Sequence, residues 1–390
     1  MSTTELKQNI TKLSKLLNQQ DYDVIDRGIE FARALDEPAV YKALLGGCAI
    51  DEMGVLARNK AFTGTHHRAQ PYLDYALLNL IGYALEITKI DESLIRSNIK
   101  TLNLKKYPWV ELPLGLSNFT NLTSLSLGIC PSLQNMDCLE NLTNLTSLSI
   151  TKCRSLQSVD GLANLTNLTR LDLDSCDSLK NVDALSNLEN LTSLNIGSSK
   201  FIFLPVGLNK IPNLTTLKLS HCKSLQNVDG LANLINLTNL DLSSSNSLKN
   251  LDGLAGCTNL TSLNLSDCNF TSLPLGLNKN PNLITLKLSQ SKSLQNVDGL
   301  ANLTNLTNLD LSWCESLQNV DGLANLDNLT NLDLRYCYDL QSIDGLANLT
   351  NLTNLDLIRC NKINPKPSPV YMTTREQVVA YQEEIKEAMK

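Results

Sequence analysis

The sequence has few aromatic residues, and this limits the kind of core that the chain can build. Aromatic residues make up 5% of its 390 residues, whereas hydrophobic residues make up 42%. Large rings usually contribute much of the energy of a globular core, so we expect a core built from aliphatic side chains instead. The sequence also lacks any uninterrupted apolar run of about 18 residues, the length that a membrane-spanning helix needs. We therefore expect no membrane partner.

Positive charge is also scarce. The chain has 33 Lys and Arg against 39 Asp and Glu, which gives a net charge of −6 and an isoelectric point near 5.2. Because nucleic-acid-binding domains carry a basic face, we expect no nucleic-acid partner. The start of the chain, Met1-Ser2-Thr3, lacks the apolar stretch of a secretory signal, and this favours a cytoplasmic location.

One motif recurs through most of the chain at a constant interval of 23 residues. A degenerate copy of the segment Leu-Thr-x-Leu-x-Leu begins at Ile99, and regular copies begin at Leu122, Leu145, Leu168, Leu191, Leu214, Leu237, Leu260, Leu283, Leu306, Leu329 and Leu352. We number each unit from this first residue. Alternating apolar residues at positions 4 and 6 predict a short strand, and apolar residues three apart in the second half predict a 3₁₀ turn. Such units bury their leucines only by stacking.

The consensus of these twelve units, L-T-x-L-x-L-x-x-C-x-S-L-x-x-V-D-G-L-A-N-L-T-N, resembles the leucine-rich repeat. Its first half is similar to cysteine-containing repeats and to those of plant immune receptors, and its GLANLTNL half is similar to bacterial internalin repeats. The resemblance implies a right-handed α/β solenoid whose parallel sheet lines a concave face. It also implies a protein that binds a partner through this face and has no catalytic activity.

Helical segments are expected on both sides of the array. Amphipathic stripes within residues 1–98 predict a helical capping domain, and residues 99–364 form the predicted solenoid. Within residues 365–390, prolines end the array and Thr373-x-x-Glu376 predicts the start of a capping helix, with Met389 on its apolar face. We expect this helix to cover the last coil.

The cysteines follow the repeat. Eight of the eleven occupy position 9 of a unit, and serine occupies the same position in three other units. In leucine-rich repeats this side chain turns inward and bonds the backbone of the neighbouring coil. Because no Cys-x-x-Cys spacing is present, we expect buried reduced thiols, with no disulfide, metal or other cofactor. Reduced thiols also favour the cytoplasm.

Two other polar residue types recur at fixed positions of the unit, and each could have a functional role. Aspartate occupies position 16 in eight units, and we expect it to cap the helical turn that follows, although stacked carboxylates could also bind calcium. Asparagine at position 23 precedes each regular strand, where a role in the turn is sufficient. The adjacent pair His66-His67 supports only a weak metal hypothesis.

The last three units carry distinctive side chains at positions 5, 7 and 8. These positions alternate with the buried leucines, so we expect them on the exposed face of the sheet. Aromatic, arginine and acidic side chains together match the composition of protein interface hot spots. The alternative is that Trp313 and Tyr336 only stabilise the sheet by contact across strands. The candidate binding residues are Asp310, Trp313, Asp333, Arg335, Tyr336, Asp356 and Arg359.

These observations predict a monomeric, non-enzymatic binding module for a protein or peptide partner. Two alternatives remain. An effector-type ubiquitin ligase has repeats of the form Leu-Pro-x-Gly-Leu, which occurs here at residues 112–116, and it would need Cys48 as its reactive thiol. An immune-type sensor fragment would use the repeats for target recognition, although no nucleotide-binding loop precedes them in this sequence.

Overall fold

The computed structural model describes residues 2–35, 38–45, 49–50, 56–57, 74–81, 99–105, 109–273 and 275–390. These residues fall into two compact units, Met1–Leu191 and Thr192–Lys390. His66, His67 and Cys48 lie outside the described residues, and so do the metal hypothesis for the histidine pair and the reactive thiol of the ligase alternative.

The first unit begins with helices. They are α1 (Thr3–Leu17), α2 (Tyr22–Leu35), α3 (Pro38–Leu45) and α4 (residues 74–81), with a short antiparallel pair, β1 (Ala49–Ile50) and β2 (Leu56–Ala57), between α3 and α4. Ser2 begins α1 with a capping box, because its hydroxyl accepts from the backbone of Glu5 while the Glu5 carboxylate accepts from the backbone of Ser2. Helix α1 packs against both α2 and α3, and the buried faces contain Leu13, Leu17 and Ile25.

Helix α4 contacts the first coil of the repeat array. The Asn79 side-chain oxygen accepts a hydrogen bond from the backbone N–H of Gly115 at 2.8 Å. A β-carbon at Gly115 would lie 2.5 Å from the Asn79 α-carbon, so this close approach requires glycine. Beside it, Trp109 is fully buried and meets the Tyr75 ring edge-on at 6.2 Å.

The repeats of the first unit form a parallel sheet. Its strands are β3 (Thr101–Lys105), β4 (Ser124–Gly128), β5 (Ser147–Thr151) and β6 (Arg170–Asp172). Each strand pairs in parallel with the next, and equivalent repeat positions lie opposite each other, as Leu125 does with Leu148. A 3₁₀ turn follows each strand, for example Asp160–Leu162.

The second unit continues this pattern. Its parallel strands are β7 (Ser193–Asn195), β8 (Thr216–Lys218), β9 (Asn239–Asp241), β10 (Ser262–Asn264), β11 (Thr285–Lys287), β12 (Asn308–Asp310), β13 (Asn331–Asp333) and β14 (Asn354–Asp356). A final strand, β15 (Tyr371–Met372), pairs antiparallel with β14 and is followed by α5 (Arg375–Ala388). A repeated strand, 3₁₀ turn and return, stacked in register, is the architecture of a leucine-rich-repeat solenoid.

Neighbouring coils are joined by buried leucines and by ladders of hydrogen bonds. Leu309 and Leu311, at positions 4 and 6, are 3% and 0% exposed. The Thr330 hydroxyl donates to the carbonyl of Thr307 in the preceding coil at 3.0 Å. Asn328 lies in a turn, and its amide also donates to the Thr304 carbonyl at 2.9 Å. Asparagine at position 23 therefore links coils as well as lying in a turn.

The eight cysteines at position 9 are buried, as predicted, and six of them bond the backbone of the preceding coil. The thiols of Cys314 and Cys337 donate to the carbonyls of Leu288 and Leu311 in the preceding coil, at 3.3 and 3.2 Å. Ser245 makes the equivalent bond to Leu219 at 3.5 Å, which explains why serine replaces cysteine here. All ten cysteines among the described residues are free. Burial raises the pKa of the Cys314 thiol to about 12, so the thiol stays protonated.

The predicted capping role of aspartate at position 16 is wrong. Asp321 is the first residue of its 3₁₀ turn, and the residue before it, Val320, makes no side-chain cap. The bond that is made runs from the backbone N–H of Asp321 to the side-chain oxygen of Asn319, at 3.3 Å. A capping residue has to precede the turn that it caps, and here position 14 does so. Among the described residues, no group of three or more His, Cys, Asp or Glu could hold a metal ion such as calcium.

The start of α5 also differs from the prediction by one residue. Thr374, not Thr373, is the cap, and its hydroxyl accepts from the backbone N–H of Gln377 at 3.4 Å. Met389 is 54% exposed rather than buried, because the helix ends at Ala388. No helix among the described residues is both long enough and apolar enough to cross a membrane.

Candidate binding surface

The three predicted aspartates lie side by side at the ends of three neighbouring strands. Asp310 on β12, Asp333 on β13 and Asp356 on β14 occupy the same register position and are partly exposed. Each Oδ1 atom accepts the backbone N–H two residues further along the chain. The donors are Ser312, Arg335 and Ile358, at 3.0, 3.1 and 3.0 Å. One oxygen of each carboxylate thus stabilises the turn, and the second oxygen remains for other contacts.

Asp333 differs from its neighbours because it forms an ion pair with an arginine side chain. Its Oδ2 atom lies 2.8 Å from Nη2 of Arg335. Burial raises the pKa of the Asp333 carboxyl; Arg335 opposes this rise, while the nearby Asp310 and Asp356 carboxylates add to it. Burial is the largest of these influences, so the pKa of the Asp333 carboxyl stays raised in spite of the ion pair with Arg335.

Positions 7 and 8 do not continue the strand, contrary to the prediction. In the last three units the strand covers only positions 3 to 5, and position 8 follows in a turn whose backbone is left-handed. Trp313 has φ 60°, Tyr336 63° and Arg359 67°. At position 7, Ser312 is buried, at 4% exposure. Alternation of side chains applies only within a strand, so it could not place residues beyond position 6.

The two predicted aromatic residues form one stack. The ring centroids of Trp313 and Tyr336 are 4.0 Å apart, with 14° between the planes, and Tyr338 meets Tyr336 edge-on at 6.2 Å. We call these three residues the aromatic ridge. The stack joins side chains of neighbouring coils, which is the contact between strands that the alternative interpretation expects. It is also accessible, because Trp313 and Tyr338 are each 38% exposed. The sequence analysis missed Tyr338 because it considered positions 5, 7 and 8 and not position 10.

The aspartates line a shallow groove across the sheet. This C-terminal groove has a volume of about 320 Å³ and is lined by residues from β11 to β15, including Lys287, Asp310, Asp333, Arg335, Asp356 and Tyr371. Four of the seven predicted residues therefore lie in one groove. Trp313, Tyr336 and Arg359 lie in the turns after the strands and not in the groove lining. The sequence analysis missed Tyr371 because β15 carries no repeat pattern.

Two other depressions occur in the second unit. The middle groove, of about 180 Å³, is lined by strand residues that include Lys218, Asp241, Asn264 and Lys287. A larger depression of about 930 Å³ follows the asparagines of position 23 and the threonines of position 2 between Asn259 and Thr353. Many of its polar hydrogens already bond to neighbouring coils, as in Asn328 and Thr330. None of the three has the enclosed shape or the nucleophile–base pair that nucleophilic catalysis needs.

No family model matches this sequence, and no curated protein matches it. Solved structures do match. An internalin from Listeria monocytogenes is 23% identical, with 74% of this chain and 92% of that chain covered and a TM-score of 0.53. TLR13, in its complex with ssRNA13, is 21% identical over 70% of this chain and 48% of the receptor, with a TM-score of 0.52.

Toll, from the glycosylated Toll–Spatzle complex of Drosophila, is 22% identical over 72% of this chain and 42% of the receptor, with a TM-score of 0.52. At these identities the likeness shows the fold alone. The fold is the leucine-rich-repeat solenoid, and proteins of this class are typically scaffolds for interaction with other molecules. The chain spans less than half the length of the two receptors.

Proposed function

We propose that this protein is a non-catalytic binding module that holds a protein or peptide partner against the concave face of its last repeats. The contact surface consists of the C-terminal groove and the aromatic ridge beside it. The observation that carries the proposal is the exposed stack of Trp313 on Tyr336. Stacked rings form a rigid apolar platform, and tryptophan and tyrosine are the residues most enriched in interface hot spots.

The backbone beneath these rings supports a role for the side chains themselves. A left-handed residue with a β-carbon costs about 1 kcal/mol relative to ordinary backbone, and glycine, asparagine and aspartate tolerate it best. Trp313 and Tyr336 are nevertheless left-handed, at φ 60° and 63°. The same left-handed position in other repeats holds residues as different as Ser175, Gln290 and Ile129. Large rings are therefore not what the turn itself requires.

The surface is also formed in advance of binding. The strand residues are held by the ladder between coils, and the turns are held by bonds such as Asp310 Oδ1 to the backbone and hydroxyl of Ser312, at 3.0 and 2.6 Å. A partner that docks here does not have to order a flexible loop, which reduces the entropic cost of association. Arg335 and Arg359 flank the rings and can donate several hydrogen bonds each.

A polypeptide partner agrees with the charge of the chain. Toll is found in complex with Spatzle, and TLR13 is found with a single-stranded RNA, so the solenoid fold accommodates either kind of ligand. RNA binding draws most of its affinity from lysine and arginine contacts to phosphate. The chain has a net charge of −6, and the C-terminal groove contains three carboxylates. We therefore favour a protein partner; the monomeric state and the cytoplasmic location stay expectations from the sequence.

Removal of both rings tests the proposal. The variant Trp313→Ala with Tyr336→Ala should capture the partner from native lysate at least about tenfold less well, because hot-spot truncations typically cost 2 kcal/mol or more. Phe203→Ala is the control, because Phe203 is a ring elsewhere in the second unit that is more exposed (60%) than Trp313 (38%). If the double variant and the control capture the same proteins in the same amounts, the ridge is not the contact surface.

A further inference from the structure

The middle groove and the C-terminal groove contain the same pair of charges. In the middle groove Lys218 on β8 lies opposite Asp241 on β9, and in the C-terminal groove Lys287 on β11 lies opposite Asp310 on β12. The second pair follows the first by three repeats. Both lysines are exposed and both aspartates are partly exposed. Among the described residues neither lysine makes an ion pair with its neighbouring aspartate, although the strands are adjacent.

The two aspartates are held in the same way. Oδ1 of Asp241 accepts from the backbone and the hydroxyl of Ser243, at 3.0 and 2.7 Å. Oδ1 of Asp310 accepts from the backbone and the hydroxyl of Ser312, at 3.0 and 2.6 Å. In both grooves one carboxylate oxygen is fixed by the turn, and Oδ2 is left to accept from a ligand. The arrangement of the aspartate carboxylate beside a lysine therefore occurs twice, three repeats apart.

The third strand of each groove is neutral. On β10, Asn264 accepts from the backbone N–H of Ser266 at 3.1 Å and carries no charge. On β13, Asp333 occupies the same position but is neutralised by Arg335, 2.8 Å away. Along the strand ends from β8 to β13 the charges are thus positive, negative, neutral, positive, negative, neutral.

We propose that the partner contacts both grooves at once, through an extended segment in which acidic and basic side chains alternate at every second residue. This inference rests on the proposed function, because it requires the exposed sheet face to bind a polypeptide. The acidic side chains lie over Lys218 and Lys287, and the basic side chains lie over Asp241 and Asp310. The partner is thereby recognised by the order and spacing of its charges and not by its net charge.

The spacing supports an extended segment that crosses the strands. Neighbouring strands lie about 4.8 Å apart, which places Asp241, Lys287 and Asp310 at roughly 5, 14 and 19 Å from Lys218. An extended chain advances about 3.4 Å per residue, and alternate side chains share one face. Residues i, i+2, i+4 and i+6 then lie at about 0, 7, 14 and 20 Å on that face, within reach of flexible lysine and glutamate side chains.

Two synthetic peptides test this spacing. The probe is Glu-Ser-Lys-Ser-Glu-Ser-Lys, and its control contains one additional serine between the two charged halves, which turns the second half to the opposite face at the same net charge. Binding is followed from amide shifts in NMR titrations of the full chain at low salt. The probe should bind about threefold to tenfold more tightly than the control, because two exposed charge pairs, at about 0.2–1 kcal/mol each, are lost in the control. Equal binding of the two peptides, or binding of neither, overturns the proposal.

Matched variants of the protein test the two lysine–aspartate pairs separately, because Lys218 borders only the middle groove, whereas Lys287 borders both grooves. Lys218→Gln and Lys287→Gln should each weaken the probe by about twofold to fivefold, and the double variant should weaken it by about the product of the two effects. Lys223→Gln and Lys249→Gln, two exposed lysines outside the grooves, should leave binding unchanged. If only one of the two variants, Lys218→Gln or Lys287→Gln, weakened binding of the probe, contact with both charge pairs would be contradicted.

Failure of this inference is distinguishable from failure of the proposed function. Suppose that Trp313→Ala with Tyr336→Ala abolishes capture of the native partner while Lys218→Gln with Lys287→Gln leaves it unchanged. The proposed binding module is then supported, and the proposed contact of the partner with both grooves is refuted. If Trp313→Ala with Tyr336→Ala leaves capture unchanged, the proposed contact surface is refuted.

Discussion

The indole ring of Trp313 stacks on the phenol ring of Tyr336, at 4.0 Å between centroids and 14° between planes. The two residues are one repeat apart, and each follows its strand in a left-handed turn. The stack is possible because the left-handed position recurs in the eleven regular repeats, from Ile129 to Arg359, and directs equivalent side chains to adjacent sites. A periodic backbone thereby joins two distant residues into one rigid surface.

The energy of this stack can be measured by a double-mutant cycle. We expect Trp313→Ala and Tyr336→Ala to be coupled by about 0.5–1.5 kcal/mol in the free energy of unfolding, the range of aromatic pairs in proteins. Urea denaturation of the parent, the two single variants and the double variant gives the coupling. Strictly additive effects would show that the rings do not interact in solution.

Buried thiols should resist alkylation in the native protein. Burial raises the pKa of Cys314 and Cys176 to about 12 and that of Cys268 to about 11, and the reactive species is the thiolate. In a Cys48→Ser background, we expect labelling of these three cysteines by a thiol reagent at about pH 8 to require denaturation. Mass spectrometry before and after addition of urea measures this. Rapid labelling of Cys314 under native conditions would contradict the inward orientation of position 9.

The stability contribution of Asp333 should depend on pH. Burial raises the pKa of its carboxyl above the ordinary value of 3.8, so the folded state retains a proton that the unfolded chain has already lost. The stability from this group is therefore present at low pH and is lost as the pH rises through the raised pKa. Asp333→Asn cannot ionise, and Asn264 shows that asparagine still holds the turn.

We accordingly expect Asp333→Asn to gain stability relative to the parent as the pH rises from about 3.5 to about 6. Urea denaturation across this range measures the difference, and a carboxyl NMR titration gives the midpoint directly. The matched control is Asp327→Asn, an exposed aspartate outside the groove. A titration midpoint for Asp333 at or below 3.8 would show that Arg335 outweighs burial.

Gln382 should be a main contact between α5 and the last coil. Its side chain is 4% exposed and donates to the carbonyls of Leu346 and Leu349, at 2.7 and 3.1 Å, while it accepts from Arg375 at 3.1 Å. Gln382→Met has a similar volume but leaves these carbonyls without a donor. We expect a loss of about 1–3 kcal/mol in stability.

The loss should be concentrated at the carboxyl end of the array, because each coil is stabilised by its immediate neighbours. Hydrogen exchange should become faster at the β14 amides before it does at those of β9. Glu387→Gln, on the exposed side of the same helix, serves as the control. Uniform acceleration across the array would indicate that the last coil unfolds together with the rest.

The predicted domain boundaries, after residues 98 and 364, stay a prediction. Contacts do cross the first of them, since Asn79 of α4 holds Gly115 of the first coil. Expression of residues 99–364 alone would test the two boundaries. Removal of α4 and α5 exposes apolar surface at both ends of the array, so this experiment shows whether the array folds without its flanking helices.

The sequence by itself determined the coil. Leucines at positions 4 and 6, threonine at position 2 and cysteine at position 9 depend on their own coil and its immediate neighbours, so a constant period of 23 residues is enough to predict their burial. It also narrowed the candidate surface to the last three repeats. It misplaced the cap of the 3₁₀ turn, because Asn319 and Asp321 are both plausible capping residues when the first residue of the turn is unknown.

Only the tertiary structure shows that the candidate residues divide between the C-terminal groove and the turns that follow the strands. It placed Asp310, Asp333 and Asp356 in a groove and moved Trp313 and Tyr336 onto a ridge, because these strands end at position 5 and the chain is in a left-handed turn at position 8. It also added β15, whose two residues complete the sheet edge beside β14. Side-chain patterns report which residues avoid water, whereas the direction of a turn and the closing of an edge depend on backbone contacts between coils.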